Sequence, residues 1–296
     1  MGSFVLHGNI IDSESPERLR VAADSYLVCE EGRCTGVFSA LPERFSGLPL
    51  TDFGDRLILP GMTDLHLHAP QFAFRGLGMD LELLDWLNAH TFPEEAKYAD
   101  LSYAALAYGQ FVDCLRRSAT TRAVVFGTVH PAATTLLMEL LEASGLVSYV
   151  GKVNMDRDCP EALREADAAA SLAATEQWLA SARFAHTKPI LTPRFVPSCS
   201  DALLQGLGEL AARRGLPVQS HLSDWDKFNE VAAQAYAKGY KMLSGFDDAY
   251  RTFSNNVDAP WVDGTTVKVD PNIMKWVDQT KEYTDKGYNN KSSLWD

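Results

Sequence analysis

The stretch LILPGMTDLHLH, residues 57–68, decides the fold. An apolar run stops at a Pro-Gly turn, then restarts as a short strand that ends on two histidines. Period-two geometry aims His66 and His68 at the same face, which in a barrel can be the interior. Barrel enzymes hold their chemistry at the C-terminal ends of such strands. Downstream, the apolar spacing predicts a helix over 102–118 and a strand over 123–128. A helix over 131–144 then stops at Gly145, where a positive φ costs little. A strand follows at 146–154, an Ala-rich helix at 160–185 and a strand at 189–195. The last pair is a helix over 201–214, stopped at Gly215, and a strand at 217–221. Strand–helix alternation of this kind argues for parallel βα units, five strands of them ending at His221. Upstream, 3–12 and 26–38 alternate like the strands of a small β unit. The expected domains are therefore 1–56 as that β unit, 57–224 as five βα units, and a remainder, 225–296.

Composition narrows the function. The 296 residues are 46% hydrophobic and 22% charged, which is the soluble globular class. A net charge of −12 argues against a nucleic-acid partner, which would want a basic face. No apolar stretch reaches the roughly 18 residues of a membrane span, and the N-terminal segment does not read as a signal peptide. Five scattered cysteines without a C-x-x-C pair suit free thiols, and a cytoplasmic location is expected.

The chain changes character near Trp225. Residues 1–224 hold 15 Arg and 3 Lys, whereas 225–296 hold 1 Arg and 8 Lys. All seven His precede the change, and four of the six Trp follow it. A domain boundary would produce this, and so would the joining of two sequences of different origin.

His66 and His68 make half of a metal site, with nitrogen–zinc distances near 2.0–2.1 Å expected. His221, at the end of VQSH, can supply a third nitrogen, and Asp224 a carboxylate for acid–base work. The competing roles are a histidine bonded to a neighbour and a helix N-cap, respectively.

LPGMTDLHLHAPQFAFRGLGMDLELLDWLNAHTFPEE resembles the first-strand region of the guanine deaminases, within the amidohydrolase superfamily. The resemblance continues through VVFGTVH (124–130), KVNMD (152–156), LTPRF (191–195) and VQSHLSD (218–224). It implies a (β/α)8 TIM-type barrel of the metal-dependent hydrolase kind, incomplete here. It also implies zinc, or iron, on His66, His68 and His221. Guanine is the implied substrate, held by Gln71 and Arg194 and walled by Phe195, Trp86 and Leu87. An Arg fork suits the paired O6 and N7 acceptors of guanine, and an amide suits an edge that both gives and accepts. The implied reaction is hydrolytic deamination to xanthine and ammonia, in which the metal lowers the pKa of water. The family's proton shuttle is a Glu in SH-x-SE, whereas this sequence has Asp224. One methylene fewer shortens the reach by about 1.5 Å, and such a misplacement can cost on the order of 100-fold.

The family also uses a His after the sixth strand and an Asp after the eighth. No His follows His221 here. Three further βα units need roughly 30 residues each, more than the remaining 72. The tail instead resembles, in WDKFNEVAAQAYAKGYKMLSG and NIMKWVDQTKEYTDKGYNNKSSLWD, a piece of an ABC-type sugar-binding protein. Its Trp261, Trp276 and Trp295 would serve as stacking platforms, and the tail is expected to be mainly helical. Three functions follow as expectations: a guanine deaminase with a homodimer compatible with it, a non-catalytic amidohydrolase fragment, or a carbohydrate-binding module in the tail.

Overall fold

A computed structural model of the chain describes residues 2–15 and 18–221. In the tail it describes 233–234, 236–237, 239, 243–245, 262–263, 266–267, 271–287 and 289–292. The chain divides into two compact units, one of residues 1–60 with 225–296 and one of residues 61–224. The site lies in the second.

That unit is a parallel sheet in which order in space follows order along the chain. Strands β5 (Met62–His68), β6 (Thr120–Phe126), β7 (Val147–Gly151) and β9 (Thr187–Pro189) pair in sequence, all parallel. Beyond a break at Lys152, β8 (Val153–Asn154) pairs with β10 (Thr192–Pro193), which carries the third and fourth strands onward. Such sequential order belongs to a barrel series and not to a doubly wound sheet, where the order reverses. The strand expected over 217–221 is reduced to two bridges, Leu191 with Val218 and Phe195 with His221.

The connecting helices start and stop where their caps dictate. Helix α3 (Leu101–Arg116) opens on Asp100, whose carboxylate accepts from the Ser102 amide at 2.8 Å. Helix α4 (Pro131–Ser144) has proline in its first turn and ends on Gly145 at φ 81°. Helix α5 (Ala168–Ser181) is shorter than its Ala-rich sequence suggests. Asp167 caps it at the Ala170 amide, and Pro160 instead leads a 3-10 turn at Glu161–Leu163. Helix α6 (Asp201–Arg214) is capped by Ser200 and ends on Gly215 at φ 64°.

Each helix lays one stripe on the sheet. Leu203, Leu207 and Leu210 of α6 follow helical spacing and are almost wholly buried, with Leu137 and Leu141 of α4 in the same core. Each such leucine contributes about 1.5–3 kcal/mol by leaving water. Between strands the approach is close at Gly151, where an added Cβ would lie 1.7 Å from Thr192 Oγ1. Gly127 donates its amide to the Gly151 carbonyl at 2.8 Å, so two small residues draw the C-terminal ends of β6 and β7 together.

In the other unit, β1 (Phe4–Ser15), β2 (Arg18–Glu30), β3 (Arg33–Phe38) and β4 (Leu50–Ile58) form a sheet of order β3-β2-β1-β4, with β4 parallel to β1. His7 bridges Asp24 and Asp52 at 3.1 and 2.9 Å and stacks on Tyr26. Of the tail, the described residues include a helix at Pro271–Lys286, which contains Trp276, and two pairs of short strands. Asp224, Trp225, Trp261 and Trp295 lie outside the described residues. Among the described residues no helix is long and apolar enough to cross a membrane, and all five cysteines are free thiols.

Candidate active site

The strand ends build the site. Three imidazoles, His66 and His68 from β5 and His221 from beyond α6, put one ring nitrogen each within 4.8 Å of the others. The ring centroids lie 5.0–5.1 Å apart in every pair. Phe126, the last residue of β6, lies flat beneath His68 at 4.4 Å and tilted toward His221 at 4.8 Å. It walls the cluster with apolar surface.

His221 is oriented by Arg194. Its backbone amide donates to the Arg194 carbonyl at 3.0 Å, and its Nδ1 contacts the same oxygen at 2.8 Å. A carbonyl only accepts, so Nδ1 carries the hydrogen and Nε2 keeps its lone pair. That Nε2 faces His68 Nε2 at 3.0 Å. Two nitrogens bound at 2.0–2.1 Å to a tetrahedral ion stand about 3.3 Å apart, so the pair is already near ligating distance. Burial holds His68 well below the usual histidine range, and the charges of His221 and Arg194 add to the effect. Burial also brings His221 down to about 4, helped by His66 and Arg194 and opposed by its bond to the Arg194 carbonyl. His66 is lowered by burial, against the pull of Asp64. All three are therefore neutral near pH 7, the form that binds a cation. Among the described residues no carboxylate joins this cluster.

The residues expected to hold the base are placed by several elements. Arg194 follows β10, and Phe195 forms the bridge to His221. Gln71 is half-buried in the 3-10 segment Ala69–Phe74, directly after His68, and among the described residues its amide has no protein hydrogen bond. Leu87 packs on the cluster formed by Phe92, Phe126, Val129, Val153, Met155 and Leu163, so it reaches the histidines through Phe126. Trp86, at the end of α1 (Leu83–Trp86), is tied to its own loop: Nε1 donates to the Leu77 carbonyl at 3.0 Å, and its ring packs on Phe74 at 5.6 Å.

One residue of the site was not legible beforehand. Arg194 is 3% exposed and forms a fork-to-fork pair with Glu95, itself 2% exposed, through bonds of 2.5 and 3.1 Å. Glu95 belongs to α2 (Phe92–Ala96), whose Phe92 ring lies 5.1 Å from the guanidinium carbon. Its neighbour Glu94 faces Lys97 and Tyr103 instead. Only the adjacent acids in HTFPEE hinted at such a partner.

Comparison with known proteins places this geometry. The profile of the amidohydrolase family matches residues 57–286. The chain belongs to the amidohydrolase family. Among relatives in that family, a probable guanine deaminase of Schizosaccharomyces pombe is 40% identical over 174 residues, covering 57% of this chain and 33% of that protein. Guanine deaminase of Escherichia coli strain K12 is 36% identical over 208 residues, 67% of this chain and 46% of its own length. The chain thus spans less than half the length of these curated relatives. A crystal structure of guanine deaminase from C. acetobutylicum with guanine bound superposes with a TM-score of 0.72 at 35% identity, covering 97% of this chain and 70% of that one. The parallel sheet with its flanking helices fits the α/β TIM-type architecture of the amidohydrolases, and the chain has a three-histidine cluster, in a family that is generally metal-dependent.

Proposed function

We propose that this chain carries the metal- and base-binding part of a guanine deaminase, converting guanine and water to xanthine and ammonia. The observation that carries the reading is the three-imidazole cluster linked through the Arg194 carbonyl to the guanidinium that would grip the base. His66, His68 and His221 would hold zinc. The bound metal supplies Lewis acidity and makes a nucleophile available from water at neutral pH. Arg194 offers donors to the O6 and N7 edge of guanine, and the amide of Gln71 addresses another edge. Phe195 and Leu87 exclude water from the base. Asp224 moves protons from the water to the ring nitrogen and the departing amine. The water oxygen bonds to the amidine carbon, the exocyclic C–N bond breaks, and ammonia leaves.

Ammonia release from guanine by zinc-loaded protein tests this reading directly, and Asp224→Glu should raise the rate by restoring the reach. Zinc binding without guanine uptake would end it. A second reading, binding without turnover, draws on Asp224 standing where the family has a Glu, one methylene short in reach. It predicts saturable guanine and zinc binding with no ammonia. The sugar-binding reading of the tail gains nothing from the comparisons, since the family profile runs on to residue 286. The barrel portion, residues 57–224, is proposed as the first five βα units.

A further inference from the structure

We propose that Glu95 is a positioning and specificity-determining residue, which fixes and neutralises Arg194 so that the pocket accepts an uncharged base and refuses an anionic one. The inference rests on the guanine-binding reading above and adds to it the class of ligand that the pocket discriminates against.

A guanidinium carries five N–H groups in a plane. Glu95 takes one hydrogen from each Nη, an end-on grip made by two bonds of 2.5 and 3.1 Å. That grip leaves the side-on edge, Nε–H with the outward Nη–H, as one parallel pair for a ligand. Both partners are almost wholly buried, and the Phe92 ring covers the guanidinium. Arg194 therefore cannot swing to a second rotamer without breaking a buried ion pair, which is strongly unfavourable.

Charge acts alongside geometry. An unpaired buried guanidinium would attract anions such as phosphates or deprotonated purines. Paired with Glu95, it presents hydrogen-bond direction with little net charge. A neutral base can use the direction, whereas an anion loses its hydration and gains no counter-charge from the Arg194–Glu95 pair in return.

The test compares two purines on the full chain by calorimetry at neutral pH. Guanine is neutral there, and urate is a monoanion that keeps the fused-ring shape. In Glu95→Gln the side chain keeps its size while the guanidinium loses its counter-charge. Guanine affinity should fall, and the ratio of urate to guanine affinity should rise about tenfold or more. Losses in parallel for the two ligands, or no change, would overturn the proposal, because a merely structural role would weaken both alike. Glu95→Asp serves as the second variant and covers the case of a poorly folded Gln protein. It keeps the charge but shortens the reach, so guanine should weaken while the ratio stays at the wild-type value. A raised ratio in Glu95→Asp, or undiminished guanine binding, counts against the assignment. Wild-type protein that takes up neither purine ends the deaminase reading and this inference together. Wild-type binding with an unmoved ratio in Glu95→Gln ends this inference alone.

Discussion

An imidazole is useful to a cation only when its nitrogen is bare, and at His221 a single backbone oxygen decides which nitrogen that is. With Nδ1 committed to the Arg194 carbonyl, Nε2 is left for the ion. His68→Ala should lower zinc affinity by at least about 100-fold, as read by competition with a chromophoric chelator. The depressed His221 also has a thermodynamic signature. Unfolded, the ring takes a proton near 6.5, whereas folded it does so only near 4. Between those values the unfolded chain binds more protons, so the metal-free protein should lose stability as pH falls from about 6.5 to about 4, and no more below. Melting temperatures across that range check the sign, and His221→Asn should flatten the slope. His7 runs the opposite way. Its hydrogen bond to Asp52 raises its pKa, so its contribution is complete below 6.5 and fades as pH rises through the raised value. Proton NMR should find His7 titrating above the usual histidine value and His221 far below it. The residue types of this site were readable in HLH and VQSH, but the tautomer was not, because it depends on a carbonyl 27 residues away in the chain.

At the scale of elements, caps and glycines do most of the positioning. Asp167 and Pro160 are both plausible helix starters in sequence, and the structure chooses Asp167 because its carboxylate reaches the Ala170 amide. Asp167→Ala should cost about 1 kcal/mol, seen as a lower denaturant midpoint with unchanged slope. Gly151 shows a constraint of another kind. A methyl group there would meet Thr192 on the neighbouring strand end, so Gly151→Ala should destabilise by about 1–3 kcal/mol. It should also weaken zinc binding, since Thr192 and Arg194 belong to the same strand end. Periodicity gave the helices well where an amphipathic stripe meets a clear stop, as at Gly145 and Gly215. It overstated the strands at 146–154 and 217–221, because Lys152 turns inward to Glu165 and breaks the first, and the second has only two bridges.

At the scale of the whole molecule, β5 is an edge strand of its sheet among the described residues, yet it carries two of the three site histidines. Met62 and Leu65 on this strand are 58% and 67% exposed. An edge of that character invites pairing with another chain. Concentration-dependent association is therefore expected in light scattering, and Leu65→Lys should reduce it. A species that stays monomeric at every concentration would oppose this expectation. The sequence by itself determined the βα alternation, the helix stops and the His-x-His pair, because these follow from periodicity, capping and backbone freedom over a few residues. Only the tertiary structure decided that His221 meets His68 across 153 positions, and that Glu95 grips Arg194 across 99. Contacts so distant in the chain leave no local pattern. They arise where parallel strands bring their C-terminal ends together and burial makes an unpaired charge too costly to leave alone.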